Sequence, residues 1–64
     1  MILLKNKKQT KCITKVNGNI VDEVVLAESY DEKYFNERSI DVEVSESDKI
    51  EIISDEEVNY KIIY

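Results

Sequence analysis

Histidine and proline are absent from these 64 residues, and there is one glycine and one cysteine. Each shortage excludes something. Without histidine the chain lacks the side chain that titrates near neutral pH and most often serves as general base. A lone cysteine, Cys12, cannot form an internal disulfide, and with no second soft ligand a zinc site fails on ligand count. One glycine is too few for a glycine-rich phosphate loop. The lack of proline leaves every strand amide able to pair, so sheet edges stay open to other strands. No apolar run exceeds four residues, which is too short to span a bilayer as a helix. The apolar start, Met1–Leu4, is cut off by Lys5, so no signal peptide is expected. A cytoplasmic protein with a reduced thiol is the expectation.

What remains is aliphatic and charged. Hydrophobic residues make up 42% and charged residues 36% of the chain, with valine and isoleucine abundant, four tyrosines and one phenylalanine. That is a folding composition rather than a disordered one. The length fits a single domain over residues 1–64. A domain of this size buries only roughly 60% of the surface its unfolded chain exposes. With no disulfide or metal to help, a tidy core or self-association must hold it.

The stretch from Lys8 to Ala27 organises the rest. Two β-prone runs flank Asn17-Gly18-Asn19, and Asn-Gly is the strongest short hairpin signal because both residues tolerate positive φ. A two-residue loop, Asn17-Gly18, would set Val16 opposite Asn19; a three-residue loop, preferred because it makes one face largely apolar, sets Val16 opposite Ile20 and Cys12 opposite Val24. It gathers Cys12, Val16, Ile20, Val24 and Leu26 on one face, and a slip of one residue would reverse the faces. Met1–Leu4 is either the start of a long first strand or a short separate strand, with a bend or bulge near Asn6.

Ser29-Tyr-Asp-Glu32 has the form of a capping box, which predicts a short helix from Tyr30 to about Arg38. Tyr30 and Tyr34 would share one of its faces, and Phe35 would plug the sheet. Ser39–Ser45 alternates strictly, with Ile40, Val42 and Val44 inward and Asp41 and Glu43 outward. Turns at Glu46–Lys49 and Asp55–Glu57 bound two further strands, Lys49–Ser54 and Val58–Tyr64. The predicted fold class is therefore α+β, mostly β. In the order β-β-α-β-β-β it would make a small curved antiparallel sheet or partly open barrel with one short helix.

Chemistry is sparse. Cys12 lies mid-strand on the apolar face, where a structural role fits better than a nucleophilic one. The serines sit at element ends and suit capping and turns. Neighbouring carboxylates such as Asp22 and Glu23 lack a cleft that would raise one pKa. Asp55–Glu57 lacks the spaced ligands and the glycine of a calcium loop. No enzymatic activity, cofactor, metal or small-molecule substrate is expected.

Charge is divided unevenly. Residues 1–21 hold five lysines and no acid, while residues 22–64 hold all fourteen acids and four bases, leaving a net charge of −5. Mutual cancellation between basic and acidic strands accounts for such a split most simply. The sharper expectation is a small acidic protein-binding module that imitates nucleic acid. In style such a module resembles phage and mobile-element inhibitors of host defence or DNA-processing enzymes. Its carboxylate surface would comprise Asp41, Glu43, Glu51, Asp55, Glu56 and Glu57, since outward residues two apart on a strand lie about 7 Å from each other. The partner would be a protein with a basic groove. The alternatives are a single-stranded nucleic-acid binder using Lys5, Lys7, Lys8, Lys11 and Lys15, and a structural subunit that adds an edge strand to a partner. Homodimerisation through a strand edge is the self-associating form of the last.

Overall fold

The computed structural model describes residues 1–29 and 36–64. Among the described residues there are six strands and no helix. These are β1 (Ile2–Asn6), β2 (Thr10–Val16), β3 (Asn19–Leu26), β4 (Asn36–Ile40), β5 (Ile50–Ser54) and β6 (Asn59–Ile62). They form two antiparallel three-stranded sheets, in the orders β4-β1-β6 and β3-β2-β5. The two N-terminal strands thus each become the centre of a different sheet.

Their inward residues make the middle of the molecule. Ile2, Leu4 and Asn6 on β1 and Thr10, Cys12 and Thr14 on β2 are all buried. Leu26, Ile40 and Val44 complete the buried apolar core, with Val16, Val24, Val42, Ile50, Ile52, Val58 and Ile62 packed around it. Complete burial of an aliphatic side chain contributes roughly 1.5–3 kcal/mol, so a core this small leaves little to spare. A polar corner fixes the passage from β1 to β2. The Asn6 amide donates to the carbonyls of Lys8 and Ala27, each at 2.9 Å, and Thr10 Oγ1 donates to Lys8 O at 2.6 Å.

The predicted α+β fold with a helix and a curved sheet or partly open barrel is not what forms. Asn36–Arg38, placed in the helix by the capping pattern, belongs to β4 and pairs antiparallel with β1 as far as Ile2↔Ile40. A cap contributes only about 1 kcal/mol, whereas pairing with β4 satisfies the backbone N–H and C=O groups on the second edge of the central strand β1. The rest of that helix, Tyr30–Phe35, lies outside the described residues. The expected Ser39–Ser45 strand is also shifted, because pairing ends at Ile40 where β1 runs out. There the Val42 N–H donates to Ile40 O at 3.0 Å, and this tight turn at Asp41 directs the chain across the end of the sandwich. The inward alternation nevertheless persists, with Val44 buried and Val42 half-buried.

The hairpin turns on two residues, not three. Asn17 has φ 52° and Gly18 φ 82°, and Val16 pairs with Asn19. A bulge then shifts the register, so that Lys15 faces Ile20, Thr14 faces Asp22, and Val21 has no opposite number. Beyond it Cys12 faces Val24, as the sequence pattern requires. Without the extra residue Glu23 would sit on the core face and Val24 outside it.

Candidate functional site

Three regions hold the residues singled out by charge. The first is the connection from β4 to β5, residues 41–49. Val42 and Val44 anchor it to the core, and Asp41, Glu43 and Glu46 are exposed. Its far end is clamped. Asp48 accepts from the Ser45 N–H at 2.8 Å and from the Asn17 side-chain amide at 2.9 Å. These bonds hold the Asp48 carboxyl below its ordinary value, the Ser45 amide contributing most. Asn17 in turn accepts from the Lys49 N–H at 2.9 Å. The connection is therefore held at both ends, and its exposed acids take part in no ion pair among the described residues.

The second region lies at the opposite end of β5. Asp55 Oδ1 accepts from the Lys11 N–H at 2.9 Å, which ties the strand end to β2. Glu56 and Glu57 line a cleft of about 400 Å3 together with Lys5, Lys7, Lys8 and Asn59. Here the acids and the N-terminal lysines occupy the same place. Lys5 reaches the Glu37 carboxylate at 3.4 Å.

The third is the outer face of the β3-β2-β5 sheet, where Lys11 and Lys15 alternate with Ile13. Glu51 sits opposite Lys15 and 3.8 Å from the Lys49 ammonium. Exposed Ile20, Val21, Val25 and Ile53 lie on the same sheet.

The six proposed acids are thus not one continuous row. Asp41 and Glu43 stay together at one end of β5, Asp55, Glu56 and Glu57 lie at the other, and Glu51 is between them beside lysines. The five lysines are spread over both sheets and the β1–β2 loop. Sequence reasoning passed over Glu46, although it falls within an eight-residue stretch, Asp41–Asp48, that holds four acids and no base. It also missed the pairing of Asp22 with Arg38, because both residues stand in segments whose register or secondary structure was read differently. Among the described residues no group of histidine, cysteine or acidic side chains could hold a metal ion, and no helix is long and apolar enough to cross a membrane. Cys12 is buried, and desolvation raises its thiol pKa. No family model matches the chain, and no curated protein or solved structure matches it either.

Proposed function

We propose that this chain is a small non-enzymatic binding module that works in the cytoplasm and meets a basic protein surface through its β4–β5 connection. The supporting observation is the anchoring of that connection. Val42 and Val44 pack inward, Asp48 fastens the far end to Asn17, and Asp41, Glu43 and Glu46 are exposed and take part in no ion pair among the described residues. A carboxylate group held in place forms contacts at lower entropic cost than one on a loose loop. It also steers a cationic partner over distance, with salt-sensitive association. A nucleic-acid-processing protein with a basic groove suits such a surface, and an inhibitor of phage or mobile-element type is the corresponding role. The acids at the other end of β5 contribute less, since lysines share their cleft. The nucleic-acid-binding alternative has weaker support, because Lys5 faces Glu37 and the other lysines are divided between surfaces.

The test is capture from a cell extract with the immobilised chain, compared with the Asp41→Lys/Glu43→Lys variant. A nucleic-acid-processing protein retained at low salt, released by salt and lost with the variant supports the reading. Equal capture by the variant removes it.

A further inference from the structure

The free edge of β5 displays a pairing pattern of its own. Asn17 N donates to Lys49 O at 2.8 Å and Asp55 N to Lys11 O at 3.4 Å. In an antiparallel ladder the residues that face the neighbour alternate. Lys49, Glu51, Ile53 and Asp55 therefore turn their backbone groups towards β2. Ile50, Ile52 and Ser54 turn theirs to the opposite side, where no strand lies among the described residues. The other edge of this sheet is protected, since β3 carries the bulge at Val21 and lies against β4. β5 has neither bulge nor proline.

We propose that two copies of the chain associate through this edge, with β5 antiparallel to the partner's β5 and the two-fold axis at Ile52. Ile50 then exchanges backbone hydrogen bonds with the partner's Ser54, and Ile52 with the partner's Ile52. The two sheets merge into one of six strands. Charge selects this register. It sets Lys49 opposite the partner's Asp55, twice by symmetry, and Glu51 opposite the partner's Ile53. An axis at Glu51 would put two glutamates face to face, and an axis at Ile53 would put Glu51 opposite the partner's Asp55. Like charges directly opposite each other destabilise a strand pair. Axes further along leave fewer residues overlapping. The half-exposed Ile53 gains cover, as do Ile50 and Ile52 on the inner face. The contact is isologous, so it closes at two copies. It is independent of the acids of the β4–β5 connection.

Sedimentation of the full chain over a wide concentration range is the test. A reversible dimer is expected. Lys49→Asp should weaken it by about tenfold, and adding Asp55→Lys to that variant should restore it. A monomer at every concentration overturns the proposal, and so does a dimer that Lys49→Asp leaves unchanged, which would place the contact at β6 or elsewhere. Asp55 also holds the Lys11 amide, so a second variant guards against misfolding. Glu51→Cys with Ile53→Cys faces cysteines across a non-hydrogen-bonded pair, with Cα atoms about 4.5 Å apart, within disulfide reach. Mild oxidation should yield a covalent dimer that the unsubstituted chain, with only buried Cys12, does not form. Absence of that product overturns the register.

Discussion

Arg38 on β4 holds Asp22 on β3 by both carboxylate oxygens, Nε to Oδ2 at 2.9 Å and Nη2 to Oδ1 at 2.7 Å, and so links the two sheets along one side. The pair exists because of the bulge. The skipped residue at Val21 turns Asp22 to the inner face together with Val24 and Leu26. Asp22 hydrogen bonding also raises the guanidinium pKa.

The two partners differ in access to water, and that sets the expected order of substitution effects. The Asp22 side chain is 14% exposed and that of Arg38 38%. Arg38→Met leaves a mostly buried carboxylate without its cation and should cost about 2 kcal/mol. Asp22→Asn leaves a guanidinium that still reaches water and an amide oxygen that still accepts, and should cost about 1 kcal/mol. Urea unfolding midpoints at neutral pH measure both. A larger loss in the asparagine variant would contradict the assigned burial.

A second expectation concerns β2. The hydroxyl of Thr14 is buried and has no hydrogen-bond partner among the described residues. A buried, poorly satisfied hydroxyl is costly, and valine has nearly the same shape. Thr14→Val should therefore stabilise the fold by about 1 kcal/mol, seen as a higher melting temperature. A lower melting temperature would mean that the hydroxyl contributes more than its desolvation costs. Burial raises the Cys12 pKa above its ordinary value. The neutral thiol's contribution is thus complete below that value and is lost as pH rises towards the folded-state pKa, because the unfolded chain ionises first.

The sequence made the hairpin legible because Asn17 and Gly18 both tolerate the positive φ that a tight hairpin turn demands, and both residues take it. It also made the inward set of Ile40, Val42 and Val44 legible, since alternation follows from the pleat whether or not a strand neighbour is present. The bulge at Val21 was hidden. Two-residue and three-residue loops each satisfy the local pattern, and only the joint demands of the turn and of Val24 and Leu26 require an extra residue. β4 was hidden for the opposite reason. Asn36-Glu-Arg-Ser carries no apolar pattern, and its strand conformation comes from the need of β1 for a second neighbour. The acidic surface was legible as composition, but its division between the two ends of β5 depends on the sheet order, which no local feature encodes.

The clamp at Asp48 makes stability depend on acid. Its carboxylate accepts from Ser45 N and from the Asn17 amide, while its own N–H donates to Ser45 O at 3.1 Å. The folded-state pKa is below the ordinary 3.8. A depressed carboxyl pKa contributes stability that is complete above the unfolded value and disappears as pH falls through the folded one. Asp48→Asn keeps an acceptor but loses the charge. The variant should therefore be less stable than the parent at pH 6, and the gap between their urea midpoints should narrow as pH falls below the ordinary carboxyl range and through the folded-state pKa. Asn17→Gly preserves the positive φ of the turn and removes the amide that bonds to Asp48 and Lys49. It should reduce the same acid-sensitive gap without closing it, because the Ser45 amide, the larger influence, remains. A gap between Asp48→Asn and the parent that stays constant over that fall in pH would show that shape, and not charge, holds the β4–β5 connection in place.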